Sequence, residues 1–231
     1  MTARIAVRCS SLSLALVAVA CVRGYTVPID TPMHAKLDVS SFQRVLVAGF
    51  VVAGSTEIDT NVETVRLLRS RLRSKTPLTV VEADVLALTQ IAVNGHSDMN
   101  ATAVVTNGSQ NAERPRYLKR EKDLDAYHRV FADVAFWKRL GEEYQDPLIV
   151  TGTLFFTARP GGGSLKATFL FIDGRTGTVL YSESFPANVS LGNTRHVPAL
   201  TSYFLVMDRV LPDFLGALSD QKVRGNRLLL R

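Results

Sequence analysis

Cysteine is scarce in this sequence, two in 231 residues, which excludes a disulfide-built scaffold. The 15 glycines and 9 prolines are likewise too sparse for a collagen-like chain. Catalytic signatures are missing too: there is no H-E-x-x-H or H-x-x-x-H pair, no G-x-S-x-G elbow and no G-K-[ST] after a glycine-rich loop. The apolar run at residues 11–20 is too short to stay in a bilayer as a permanent helix. What the chain has is apolar mass, with 46% hydrophobic residues, enough for a packed core and too much for disorder of the whole. That length fits one domain, or one domain plus tails.

The first thirty residues read as an address. Residues 1–8, MTARIAVR, carry Arg4 and Arg8 and no acid, and residues 11–20, SLSLALVAVA, are small or apolar, the layout of a secretory signal. The run ends at Ala18-Val19-Ala20-Cys21, which resembles the lipobox of bacterial lipoproteins. In that family the cysteine is lipidated and the chain is cut just before it, which makes Cys21 the lipidation site, with Ala18 standing where leucine is commoner. The competing reading, a plain A-x-A cut after Ala20, leaves an unexplained free thiol at Cys21. Cys9 leaves with the signal, residues 1–20. Each buried methylene of the lipid contributes about 0.8 kcal/mol of membrane affinity, so several acyl chains anchor stably. Val22 follows Cys21 where aspartate retains lipoproteins at the inner membrane, so the resemblance implies the periplasmic face of the outer membrane. Residues 21–43, with Pro28 and Pro32, read as a tether.

Beyond the tether, β-rich and helical patterns alternate. RVLVAGFV at 44–51 suits a strand buried on both faces, and Val62, Val65, Leu68 and Leu72 form a helical stripe over 59–73 with Asp59 or Thr60 as N-cap. Residues 77–81 predict a second strand and 83–91 a short helix. Residues 93–120 hold no sustained apolar period and predict an insertion loop. A single helix is expected over 123–144, then strands at 148–157, 165–173 and 178–185 as an antiparallel meander. A covering helix over 198–218 closes the domain, with Pro212 expected to kink or split it. The fold class is therefore α/β: a mixed sheet of about five strands, parallel at its start and antiparallel in its second half, with helices packed on it. The single domain spans 44–220, and 221–231 is a basic tail.

Val45-Leu46-Val47-Ala48-Gly49-Phe50, the helix with Leu67-Leu68 and Leu72, the segment around Val80 to Ala83, YQDPLIVTG at 144–152 and FIDGRTGTVL at 171–180 together resemble the curli-secretion lipoprotein family (CsgG-like). The same order resembles its relatives, the amino-terminal domain of TolB and the lipoprotein activators of peptidoglycan synthases, and an uncharacterised periplasmic lipoprotein family with a FIDGRTG-type turn. The likeness covers about two thirds of the chain and implies the fold more sharply than any task. The family's channel needs two long membrane hairpins, each strand about 9–11 residues of lipid-facing alternation. Here the hairpin at Gly161–Gly163 has a short polar tip and residues 93–112 alternate weakly, so the resemblance implies an accessory or scaffold role.

Candidate chemistry is thin. His34, His96, His128 and His196 fall in four separate segments and imply no metal site, and no cofactor motif is present. Gly161–Gly163 read as a hairpin tip rather than a phosphate loop, since the next segment is β-like. Asp173-Gly174-Arg175-Thr176-Gly177 is the sharpest motif: Asp173 and Arg175 can hold a ligand, or, as the composition favours, Asp173 caps a turn whose glycines take positive φ. Arg66, Arg69 and Arg73 recur at i, i+3 and i+7 opposite the apolar stripe. They are read as a solvated face, with contact to an anionic surface or acidic partner as the alternative. Lys222, Arg224, Arg227 and Arg231 carry the same two readings. Trp137, Tyr144 and Tyr181 are assigned to packing. Nucleic acid is set aside despite the +6 charge, because an exported lipoprotein has little access to it. The expectation is a non-catalytic envelope lipoprotein, membrane-held through its lipid, that binds secretion or envelope proteins and is capable of homo-oligomerising. Activation of a peptidoglycan synthase is the first alternative and an envelope hydrolase the second.

Overall fold

The structure, a computed structural model, describes residues 24–89, 91, 118–192 and 197–230, with only the backbone given for 24–33 and 221–230. The expected signal, Cys21 and all of the insertion up to residue 117 lie outside the described residues. The chain divides into two units, one joining the segment up to Pro32 with Lys222–Arg231, the other running Met33–Gln221. In the first, strands β1 (Gly24–Met33) and β7 (Gln221–Leu230) form a two-stranded sheet. The stretches read as tether and basic tail thus carry strand; their pairing spans most of the sequence, and neither stretch has a local pattern that announces it.

The larger unit is built on strands β2 (Arg44–Gly54), β3 (Thr79–Val80), β4 (Leu148–Arg159), β5 (Gly162–Asp173) and β6 (Val179–Ser190), in the order β3-β2-β4-β5-β6. β2 pairs parallel with both β3 and β4, while β4–β5 and β5–β6 are antiparallel. This is the mixed, parallel-then-antiparallel α/β sheet expected.

Alternation sends side chains to two covered faces. On one, helices α1 (Thr60–Lys75) and α4 (Ala199–Leu218) bury Val65, Leu68, Tyr203, Met207 and Phe214 against Val45, Val47, Phe50, Val150, Phe169 and Phe171. On the other, a 3-10 segment (Glu121–Tyr127) and helices α2 (His128–Phe131) and α3 (Val134–Glu143) lay Leu124, Phe131 and Trp137 over Leu46, Val51, Ile149 and Ile172. A β-bulge between Val47 and Gly49 reverses the parity of β2: Val45 and Val47 face the first core, and after the bulge it is Phe50. The extra residue keeps both halves of the strand apolar on both faces. Gly152 lies between Phe50 and Phe169 in the register, and a Cβ there would sit 1.8 Å from the Thr168 carbonyl oxygen. Its bareness lets the two rings meet edge-on at 5.7 Å.

Several local expectations are corrected. Residues 83–87 are irregular rather than helical: the Leu86 N–H donates to the Ala48 carbonyl (2.8 Å) and its own carbonyl accepts from Asn61 Nδ2 (3.2 Å). Among the described residues of the helix expected over 83–91, only Leu88, Thr89 and Ile91 lie in helical backbone. The single helix expected over 123–144 breaks at Ala132-Asp133, where the Asp133 carboxylate accepts the Phe136 N–H (3.0 Å) and starts α3 afresh. Pro212 lies inside a continuous α4; it sits on the exposed side while Leu211, Phe214 and Ala217 hold the flanking turns on the sheet. Val62 is 42% exposed, and the buried stripe of α1 runs through Thr64 instead.

Candidate partner-binding surface

The three arginines of α1 divide by environment. Arg66 is exposed, with Nη1 4.0 Å from Glu63 Oε2. Arg73 pairs with Glu82 and is also exposed. Arg69 instead folds inward, its side chain 12% exposed, and donates from Nη2 to the Val47 carbonyl at 3.0 Å. The sequence reading of a solvated face fails at this residue because the edge of β2 needs a donor there. β3 ends at Val80, the Val81 N–H reaches Val45, and the next backbone donor to β2 is Leu86, at Ala48. Burial, and secondarily the charge of Arg73, lowers the pKa of the Arg69 guanidinium, and Glu82 Oε2 lies 3.8 Å from its Nη1.

The 173–177 turn is likewise spent on the fold. Asp173 Oδ1 accepts the Arg175 backbone N–H (2.9 Å), and its two oxygens accept Nε and Nη2 of Arg175, each at 2.9 Å. This bidentate pair holds the Asp173 carboxyl below its usual pKa range. The Arg175 guanidinium lies 4.8 Å over the Phe42 ring, tying the turn to the segment that leads into β2. Gly177 takes φ 73° and its N–H returns to the Asp173 carbonyl (2.7 Å). Of the two glycines expected at positive φ, only Gly177 has it; Gly174 is bare because a Cβ would lie 2.5 Å from the Pro147 oxygen.

Among the described residues β6 pairs only with β5, so its outer edge carries no strand of the five-stranded sheet. Phe185 and Val189 face the core under α4, whereas Leu180, Ser182, Ser184, Pro186, Asn188 and Ser190 are exposed on the opposite face. The helices of that face cover the β2 side of the sheet and stop short of β6. Leu180 is 42% exposed and Leu191, just past the strand, 50%. A bare edge is a template for strand addition, and Pro186 has no N–H to donate. On the core side, Glu183 accepts from Lys36 and from the Tyr181 hydroxyl (2.7 Å), a cluster no sequence motif announced.

The described histidines meet single acids: His34 Nδ1 lies 3.6 Å from Asp220 and His128 Nε2 3.4 Å from Asp125. Among the described residues no three His, Cys, Asp or Glu side chains gather as a metal-ligand set, and no helix is long and apolar enough to cross a membrane.

No protein-family model matches the chain, and no curated protein sequence does. Solved structures do resemble it. Lipoprotein GNA1162 from Neisseria meningitidis is 14% identical at a TM-score of 0.39, over 77% of this chain and 99% of its own. The LpoB C-terminal domain from Salmonella enterica is 10% identical at a TM-score of 0.36, over 63% and 82%. A PelC dodecamer from Paraburkholderia phytofirmans has a subunit 12% identical at a TM-score of 0.42, over 86% and 100%.

Proposed function

We propose that this chain is an envelope lipoprotein that acts by binding rather than by turnover. It is held by a lipid on Cys21 at the periplasmic face of the outer membrane and engages a protein of the secretion or cell-envelope machinery through β6. The address comes from Ala18-Val19-Ala20-Cys21 after a charged-then-apolar start. The observation that carries the binding role is β6 itself: 12 residues long, bare at its edge and exposed on one face. Of the charged residues singled out in the sequence, Arg69 and the Asp173–Arg175 pair are, by contrast, engaged within the fold.

The test is site-specific photocrosslinking in intact cells, with benzoylphenylalanine placed at Ser182 or Ser184 on β6 and at Arg139 on α3 as control. A protein adduct at the β6 positions, absent at Arg139 and lost with Cys21→Ser, is the expected result. A peptidoglycan synthase in that adduct identifies the activator role; a second copy of the chain identifies self-assembly. Equal labelling at all three positions, or none, overturns the proposal.

A further inference from the structure

The end of β1 and the start of β7 lie together. The Ala35 N–H donates to Asp220 Oδ1 at 2.8 Å, His34 Nδ1 lies 3.6 Å from the same oxygen, and the Leu37 N–H reaches the Ala217 carbonyl at 2.9 Å. Met33, which closes β1, and Gln221, which opens β7, directly adjoin these residues in the sequence. Each strand has 10 residues, a reach of about 33 Å, so a parallel pairing would carry Met33 to the Leu230 end and away from Gln221. The two-stranded ribbon is therefore antiparallel, and its opposite end brings Gly24 together with the run Leu228–Leu230.

The two ends of the ribbon differ in composition. Asp30 is the one acid of the two strands and belongs to the Met33 end, where Asp220 also lies. The other end holds Tyr25, Val27, Arg227 and three successive leucines, and the sequence runs on into Arg23 before β1 and Arg231 after β7. Cys21 lies two residues before Arg23. Three arginines with no acid, a tyrosine and a leucine cluster, all placed at the strand ends nearest in sequence to an acylated cysteine, have the composition of a bilayer interface. Leucine enters the acyl boundary, tyrosine sits at headgroup level, and arginine attracts anionic headgroups. We propose that the Gly24/Leu230 end of this ribbon is a second membrane contact, seated on anionic phospholipid. It rests on the lipid-anchor reading of Cys21 and adds to it: the acyl chains hold the protein at the bilayer, and the arginines and leucines fix the ribbon end at its surface.

The test places an environment-sensitive fluorophore on Leu229→Cys, with Arg139→Cys at an exposed position of α3 as control. The full chain is purified from membranes and reconstituted into phosphatidylcholine vesicles with or without phosphatidylglycerol. Chain with no introduced cysteine is treated with maleimide in parallel. Resistance is expected of an acylated Cys21; uptake marks failure of the lipid-anchor reading alone, and the same probes are then read in a Cys9→Ser/Cys21→Ser background. Spin-labelled phospholipid is expected to quench the Leu229→Cys probe about twofold or more above the Arg139→Cys probe in the anionic vesicles. Arg227→Gln/Arg231→Gln removes about half or more of that difference. Circular dichroism checks that the variants keep the wild-type unfolding temperature. Three outcomes overturn the proposal: equal quenching at the two positions, quenching indifferent to phosphatidylglycerol and to the arginines, or shielding of the Leu229→Cys probe from aqueous iodide without lipid quenching. The last means that protein, rather than lipid, covers the ribbon end.

Discussion

Arg69 supplies to Val47 the hydrogen bond that a longer edge strand would have given. Its guanidinium reaches the Val47 carbonyl at 3.0 Å in the interval between the two backbone donors from Val81 and Leu86. A helix side chain thereby completes the edge of the sheet, and the surface charge pattern of α1 gives way to a structural tie.

Replacing Arg69 with Met removes that donor and leaves a part-buried carbonyl unmatched, a loss of about 1–3 kcal/mol. Arg66→Ala, at an exposed and long-range contact, stays within about 0.5 kcal/mol of wild type. Urea denaturation of the two variants checks the contrast; equal effects would return Arg69 to the solvated face.

Asp173→Asn weakens the turn by about 1–2 kcal/mol at neutral pH. The folded Asp173 carboxyl has a lowered pKa, so its contribution is fully present above the unfolded value of about 3.9 and is lost as pH falls through the lower folded value. The stability gap between wild type and D173N, measured by denaturation from neutral pH down to about pH 3, accordingly narrows below about pH 4.

Gly141 sits inside α3, where alanine ordinarily improves helix stability by about 1 kcal/mol. Here a Cβ would lie 1.9 Å from the Gly174 carbonyl oxygen, so G141A destabilises by about 2–4 kcal/mol against the propensity. A raised thermal midpoint in G141A would show that the helix and the turn are less closely set.

Thr64 and Tyr203 join α1 to α4: the Thr64 hydroxyl donates to the Thr60 carbonyl and accepts from the Tyr203 hydroxyl, both at 2.5 Å. Burial raises the Tyr203 pKa well above the usual phenol value, keeping it a neutral donor. T64V and Y203F each cost about 1–2 kcal/mol, and together less than their sum by about 1 kcal/mol. A double-mutant cycle in urea measures that coupling, and strict additivity would deny the contact.

The sheet was legible because its signals are local. RVLVAGFV, LIVTGTLFFT and LKATFLFID are long β-branched and aromatic runs, and the glycines between the second and third mark their turn. The bulge at Ala48-Gly49 was not, since parity matters only once both faces are covered. The non-helical course of 83–87 and the break at Asp133 escaped because helical spacing of apolar residues says nothing of a carbonyl on β2 or of a mid-pattern aspartate turning into an N-cap. At the Asp173 turn the composition suggested a cap with both glycines at positive φ, whereas only Gly177 has it; the bidentate arginine and the Phe42 ring beneath came only with the tertiary fold. The β6 surface had no sequence signature, because its serines read as ordinary strand alternation until the helices are seen to stop short of them.

The adjacency of β2 and β4 also governs timing. The antiparallel strands and α4 occupy one unbroken stretch, Leu148–Leu218, whereas β2 finds its principal neighbour only after residues 55–147 have been laid out. Under the export proposed above, amino terminus first, β2 emerges long before its mate. The core cannot close ahead of that mate, which leaves the front of the polypeptide threadable through a narrow passage and defers assembly to the far side.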